Sequence, residues 1–315
     1  MLPKAVLMMA YGGPGSLEDV EPYLLNVRGG RVTSSALLEE IKGRYAAIGG
    51  KSPLLEITRA QARALQDKLD LTFGVDTYKV FVGMRNWFPY IREAVGDILH
   101  AGYQQVVAIC MTPYFSRLST QAYFDQLDQA LAIYEKEESL VLPQVIKISS
   151  WHANPLFIQA LAEKLEQGIQ QFPEANETNG KIIFTAHSLP AAIIDQGDPY
   201  EQQLRETAQS VAAQLDIPNT RWEFCFQSAG ARNTSWLEPS LEETLARLAQ
   251  EKIKHVLVAP IGFVSDHVET LFDIDIEVRQ QAQAAGIHLE RMEALNTSPG
   301  FIEALEQIIK LRGIH

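Results

Sequence analysis

The sequence predicts an α/β fold in two halves, each a parallel sheet flanked by helices. Three observations predict it. Short runs rich in Val, Ile, Phe and Met alternate with longer amphipathic stretches along the whole chain, the order that gives parallel sheets covered on both faces. Near the middle the order starts again, as though one plan were used twice. One run, Lys181 to Ala186, ends in His187 and is stopped by Ser188 and Pro190. That reads as a buried strand carrying a titratable group to its carboxyl end, where open α/β sheets bind ligands.

Taken in order, Ala5 to Ala10 reads as a strand, and Gly12-Gly13-Pro14-Gly15 as a turn. Ser16-Leu17-Glu18-Asp19 resembles a helix start, a Ser cap followed by acids. Helices are expected at Ser35 to Tyr45, ended by Gly49-Gly50, and at Thr58 to Leu69. Tyr78 to Val82 is a strand, Pro89 to His100 a helix, Gln105 to Met111 a strand and Ser119 to Lys136 a long helix. Gln144 to Ile148 closes the first half as a strand. The second half runs as helix Pro155 to Gln171, strand Lys181 to Ala186, helix Asp198 to Leu215 and strand Arg221 to Phe226. Helix Pro239 to Gln250, strand Lys254 to Ala259, a long α-helix Ser265 to Ala285 and a closing helix Pro299 to Leu311 follow. The stretch 171–180 is expected as a surface loop.

The halves align piece by piece. Ala5 to Tyr11 parallels Lys181 to His187, Tyr78 to Gly83 parallels Arg221 to Phe226, and Val106 to Ser116 parallels Val256 to Ser265. Tyr11 and His187 then stand at equivalent strand ends. Two such lobes are expected to leave a cleft for a small ligand, with the divide around Ser149 to Trp151.

Composition narrows the class. The chain has 315 residues, 46% hydrophobic and 21% charged, a globular composition of two-domain length. Its formal net charge of −12 argues against a nucleic-acid partner, which would need a basic face. Cys110 and Cys225 lie inside strand-like runs with no CxxC, so neither a structural zinc nor an iron–sulfur cluster is expected. The apolar start, Met1 to Tyr11, is short and runs into Gly12-Gly13-Pro14, so a first strand is expected rather than a signal peptide. No run approaches the ~18 apolar residues of a membrane helix. A cytoplasmic protein without a transmembrane segment is expected.

Several residues can carry chemistry. His187 is either a proton carrier or metal ligand, or a histidine satisfied by a backbone carbonyl. Asp266, Glu269, Asp273 and Glu277 recur every three or four residues, on one face of a helix. They make either a solvated face or, since this helix follows a strand and the turn Pro260-Ile261-Gly262-Phe263, a carboxylate track facing His187. Histidine plus glutamate suits a divalent ion of borderline character. His267, with Val264 and Leu271 at helical spacing, is expected to pack or hydrogen-bond structurally. In the first half Arg28, Arg31, Arg44 and Arg59 surround a Gly-rich turn and the loop Gly49-Gly50-Lys51-Ser52-Pro53-Leu54. The loop lacks P-loop spacing, and Pro53 is expected to bar the helix that a P-loop needs next. Arginines with Lys51 and Ser52 suit ligand carboxylates, unless they are scattered surface charges. Aromatics near these turns, among them Tyr11, Tyr45, Trp87, Tyr114 and Tyr123, are core or line a site for a flat apolar ligand.

Five stretches carry a family resemblance: Ala10 to Pro14, Arg44 to Leu54, Thr185 to Pro190, Gly197-Asp198-Pro199-Tyr200, and Pro260 to Glu269. In them the chain resembles the ferrochelatases. The resemblance implies two Rossmann-like lobes, 1–149 and 150–299, with 300–315 returning as a helix onto the first. It implies insertion of Fe²⁺ into a porphyrin in haem biosynthesis, with loss of two pyrrole protons, iron as substrate and no tightly bound cofactor. His187 and Glu269 would bind or receive the iron, one of them serving as base. Tyr11 falls where the coproporphyrin-using members of Gram-positive-type bacteria place a tyrosine axial to the product iron. Arg28, Arg44, Tyr45, Ser52 and Tyr123 match porphyrin-contact positions of that subgroup, and Asp273 and Glu277 its acidic relay. The expected reaction is coproporphyrin III to Fe-coproporphyrin, the next haem-pathway enzyme being a possible partner. Gly12-Gly13-Pro14 with Leu24-Leu25-Asn26 is shared with many protoporphyrin enzymes, so protoporphyrin IX is the alternative substrate. Animal members add a cysteine-rich extension for an iron–sulfur cluster, and none is expected here. A non-catalytic tetrapyrrole or metal carrier, and a cobalt chelatase with a richer histidine cluster, are the other readings.

Overall fold

The computed structural model describes residues 3–230 and 234–312. In chain order the elements are β1 (Lys4–Ala10), α1 (Val20–Val27), α2 (Ser35–Ala47), α3 (Leu54–Phe73), β2 (Tyr78–Met84), α4 (Ile91–His100), β3 (Gln105–Cys110), α5 (Thr120–Glu138) and β4 (Gln144–Ile148). There follow α6 (Pro155–Gln171), a 3-10 helix (Pro173–Asn176) with Ala175 buried inside the stretch expected as a surface loop, β5 (Gly180–His187), the short α7 (Ala192–Asp195), α8 (Tyr200–Gln214), β6 (Trp222–Gln227), α9 (Leu241–Gln250) and β7 (His255–Ala259). A π-helix (Glu269–Val278), α10 (Arg279–Ala284), β8 (His288–Arg291) and α11 (Pro299–Arg312) complete the described chain. Two compact units result, one from 1–113, 118–151 and 296–315, the other from 114–117 and 152–295.

Each unit holds a four-stranded parallel sheet, in the order β2-β1-β3-β4 in the first and β6-β5-β7-β8 in the second. The two orders are the same plan, so the repeat legible in the sequence is a repeat of topology. The register refines it. Val6 pairs with Val80 and Ile182 with Trp222, so Val80, not Lys79, is the counterpart of Trp222. The sequence alignment of these two strands was therefore offset by one residue, which apolar runs of equal character cannot reveal.

All seven residues of β1 are buried. Ala5, Leu7 and Met9 share one face and pack on Ile91, Val95, Ile98 and Leu99 of α4 and on Phe124 and Leu127 of α5. Near α3, Gln61 Nε2 donates to the Asn296 carbonyl at 2.8 Å, and Trp151 stacks on Phe301 of α11 with centroids 6.1 Å apart. In the second unit Ile183, Cys225, Val256 and Val258 form a core with Leu241, Leu245 and Leu248 of α9 and with Ile274 and Val278 of the π-helix. Helix starts follow ordinary capping chemistry. Asn154 caps Leu156 and Phe157, with Pro155 at the first helical position, and Ser240 and Glu243 form a reciprocal capping box on α9.

Four expectations are corrected. The helix expected from Ser16 begins at Val20, because Asp19 Oδ2 accepts the Gly15 N–H and holds the preceding residues as a turn. Pro53 does not bar a helix, since α3 starts at the next residue. A proline at a helix start loses only an N–H that would go unpaired anyway. A fourth strand, β8, was not foreseen. It is four residues long, lies at the sheet edge and carries Glu290 and Arg291. Finally, the long α-helix expected from Ser265 is a π-helix over 269–278 with α10 after it.

Candidate active site

In a sheet ordered β6-β5-β7-β8, the chain leaves β5 toward β6 and then crosses to β7 on the other side. The carboxyl ends of β5 and β7 therefore flank a topological switch point, where such sheets bind ligands. His187 is the last residue of β5, and Glu269 opens the π-helix that follows β7. His187 Nδ1 donates to Glu269 Oε2 at 2.8 Å, with both side chains part-buried. The structure thus brings together the two residues singled out from separate motifs.

Gly262 allows that approach. Its N–H donates to the Thr185 carbonyl at 3.1 Å. A Cβ there would lie 2.6 Å from Ala186 Cβ and 2.8 Å from Ala186 Cα, closer than side chains pack. A Gly262→Ala variant is expected to push the turn away from β5, at about 1–3 kcal/mol of stability by analogy with overpacked cores. A lowered melting temperature checks this, and an unchanged one refutes it.

Other contacts fix the pair. The Tyr200 hydroxyl donates to the His187 carbonyl at 3.0 Å. Asp198 accepts the Tyr200 N–H on one oxygen, and the Ser116 hydroxyl and Arg117 N–H on the other. The Gly197-Asp198-Pro199-Tyr200 motif is thereby explained as a bracket under His187. The Gln227 side chain accepts from the Thr185 hydroxyl and reaches the Glu269 carbonyl. Ser228, at a left-handed φ of 56°, donates to Asp273 Oδ2 at 2.8 Å, a strained backbone of the kind that clusters at working sites.

The electrostatics separate the two nearby histidines. Burial opposes charge on His187, but the Glu269 carboxylate, by proximity and hydrogen bond, and Asp273 beyond it outweigh this and raise its pKa above the ordinary 6.5. Burial would raise Glu269, yet His187, His267 and Ser228 bring it down to about 2. His267 is lowered, chiefly by burial. Its Nδ1 donates to the Ser265 carbonyl at 3.1 Å, its ring meets Phe263 edge-on, and its Nε2 stands 4.0 Å from Glu269 Oε1. A carbonyl only accepts, so neutral His267 keeps its lone pair on Nε2, toward Glu269.

The carboxylate series needs one correction. Glu269, Asp273 and Glu277 lie on the π-helix, four residues apart. Asp266 precedes that helix and bonds Arg291 on β8 instead. The buried positions of the helix are Thr270, Ile274 and Val278, while Val268, Leu271 and Phe272, which an α-helix would turn to the same core, are part-buried. The wider i→i+5 winding, frequent at functional sites, accounts for the change.

In the first unit, Tyr11 follows β1 directly and is 41% exposed. The Arg85 guanidinium lies 5.9 Å from the centroid of the Tyr11 ring and 5.4 Å from that of Tyr123, joining the two. No motif in the sequence marks Arg85. It follows β2 as Gln227 ends β6, so the repeat itself could have found it. Tyr123 and Tyr45 are buried. Arg28 ends α1 with a buried Nε that has no hydrogen-bond partner. Arg44 pairs with Glu40 on α2 at 2.9 Å, and Lys51 with Glu56. Ser52 is buried. Its hydroxyl accepts from the Leu54 N–H, and its N–H donates to the Pro14 carbonyl.

The fold has a solved counterpart. The sirohydrochlorin chelatase SirB from Bacillus subtilis subspecies spizizenii, in complex with cobalt, matches at a TM-score of 0.52 with 9% identity, over 98% of this chain and 94% of that one. The protein therefore has a chelatase fold, with a histidine–carboxylate pair at the switch point of its second sheet. The family is narrower. The family model described as Ferrochelatase matches residues 3–312. A ferrochelatase of Deinococcus radiodurans is 44% identical over 308 residues, covering 98% of this chain and 95% of the relative. A coproporphyrin III ferrochelatase of Geobacillus sp. is 36% identical over 308 residues, covering 98% and 97%. The chain belongs to the ferrochelatase family, enzymes that insert metal into porphyrin. Among the described residues no helix is long and apolar enough to cross a membrane.

Proposed function

We propose that this enzyme inserts Fe²⁺ into coproporphyrin III, with His187 and Glu269 as the residues that meet the iron and the pyrrole protons. The observation that carries the assignment of the pair is the 2.8 Å contact between His187 Nδ1 and Glu269 Oε2. As an ion pair, the two hold a proton on the imidazole and a charge on the carboxylate. A divalent cation approaching Glu269 offsets that charge, removes the cause that holds the His187 proton, and lets it leave. The freed imidazole then accepts a pyrrole proton or ligates iron. Asp273 and Glu277, further along the same helix, supply the next acceptors.

The choice of coproporphyrin rests on Tyr11 and on relatives named coproporphyrin III ferrochelatases at 36% and 35% identity. Tyr11 supplies a phenol oxygen for the product iron. Arg28, Arg44, Tyr45, Ser52 and Tyr123 are the proposed contacts for a carboxylate-rich ring, with Arg85 holding Tyr11 to Tyr123. Anaerobic assays with Fe²⁺ on coproporphyrin III and protoporphyrin IX in parallel test this. Preference for coproporphyrin is expected, and preference for protoporphyrin would overturn the substrate while leaving the enzyme class intact. Tyr11→Met is expected to lower coproporphyrin turnover about tenfold, the scale of one lost contact of ~1.4 kcal/mol. Being an exposed substitution, it should change stability by no more than about 0.5 kcal/mol. An unchanged rate would remove Tyr11 from the site.

A further inference from the structure

We propose that Arg291 is a positioning residue for iron insertion, holding the π-helix in the winding that aims Glu269 at His187. The inference rests on the reading of Glu269 as a site residue. Arg291 ends β8 and pairs in register with Val258 of β7, so its backbone is fixed by the sheet. Its guanidinium reaches back to the π-helix segment with three charge-assisted bonds. Nε donates to Asp275 Oδ1 and Nη2 to Asp275 Oδ2, each at 2.8 Å, a bidentate fork. Nη1 donates to Asp266 Oδ1 at 3.0 Å and to the Met292 carbonyl at 3.2 Å. The Arg291 side chain is only 10% exposed, and Asp266 and Asp275 are 18% and 23% exposed.

The placement of these partners gives the clamp its meaning. Asp266 lies in the turn before the π-helix and Asp275 in its second half, so one side chain ties together the two flanks of the segment that carries Glu269 and Asp273. The same oxygen of Asp266 lies 3.3 Å from the Thr270 hydroxyl, which accepts the His267 N–H and shares its one proton between Asp266 and the nearer His267 carbonyl at 3.0 Å. The tie therefore reaches the residues on both sides of Glu269. A π-helix is the rare alternative to the α-helix. With its flanks released, it is free to rewind, and rewinding rotates Glu269 away from a strand end that does not move. Arg279 does not replace the clamp, because it lies 3.8 Å from Asp275 and bonds Glu290 at 2.9 Å.

The test is steady-state kinetics on Arg291→Gln, Arg291→Lys, Asp275→Asn and the double variant, each checked for folding by circular dichroism. Wild type and His187→Ala are run alongside. Expected for Arg291→Gln is a fall in kcat of about 10- to 100-fold, the usual cost of losing an outer partner of a site residue. Its KM for porphyrin, and binding read by porphyrin fluorescence quenching, should stay near wild type. Arg291→Lys keeps the charge but not the fork, so its kcat should fall between the two. Asp275→Asn should match Arg291→Gln, and the double variant should be no worse than the worse single one, since both break the same tie. If Arg291→Gln fails to fold, Asp275→Asn decides alone. Wild-type kcat in the folded Arg291 and Asp275 variants, a loss confined to KM, or losses that multiply in the double variant would each overturn the positioning role. Wild type that inserts no iron would instead overturn the reading of the site.

Discussion

His187→Ala is expected to abolish iron insertion while leaving porphyrin binding in place. His187 is the terminal residue of β5, and its main chain is held by the β6 register and the Tyr200 hydroxyl rather than by its ring. Truncating the imidazole therefore removes chemistry without removing the strand. A positioned acid or base contributes about 10²–10⁴-fold, and loss of a metal-binding group at the same position adds to that. Porphyrin affinity by fluorescence quenching and turnover by iron-dependent loss of fluorescence separate the two effects. A variant that keeps most of its rate would sink the role given to His187. One that no longer binds porphyrin would recast His187 as a substrate contact.

The sequence made most of this fold legible because parallel strands are buried on both faces and read as unbroken apolar runs. The central strands β1, β3, β5 and β7 have this character, while β2, β4 and β6, at the sheet edges, are part-exposed and were found from their remaining apolar residues. The missed one, β8, is short, marginal to the sheet, and spends Glu290 and Arg291 on ion pairs with Arg279, Asp266 and Asp275. The π-helix was illegible for a different reason. Carboxylates every four residues lie close to one line in an α-helix and in a π-helix alike, so Glu269, Asp273 and Glu277 fit both. The one carboxylate that the α-helical reading misplaces is Asp266, which lies in the turn before the helix and bonds Arg291. His187 and Glu269 were found because strand ends and helix starts are where α/β chemistry sits. Arg85 and Ser228 stand at equally telling strand ends, but no motif in the sequence marks them.

Glu269→Gln carries the other large effect, and its signature lies in pH. In the wild-type protein, burial disfavours charge on His187 and the Glu269 carboxylate more than offsets it. With glutamine at 269 the burial remains and the offset goes, so the His187 pKa falls. If the imidazole must lose its proton before it can serve, wild-type turnover should rise as pH passes the raised His187 pKa. The variant's rise should begin at lower pH and reach a plateau lower by about 10²-fold or more, as expected for a lost proton-transfer or ligand group. Stability should follow the same charges. Glu269, lowered to about 2, contributes stability fully present above its ordinary 4.5 and lost as pH falls through about 2. His187, raised above 6.5, contributes stability fully present below 6.5 and lost as pH climbs through its folded value. The pair's contribution to stability is thus complete between pH 4.5 and 6.5. Wild type and Glu269→Gln should differ most in denaturation midpoint inside that window and converge on both sides of it. A difference that stays flat from acid to alkaline pH would show that the pair is not ionic, and the metal-triggered release of the His187 proton would fall with it.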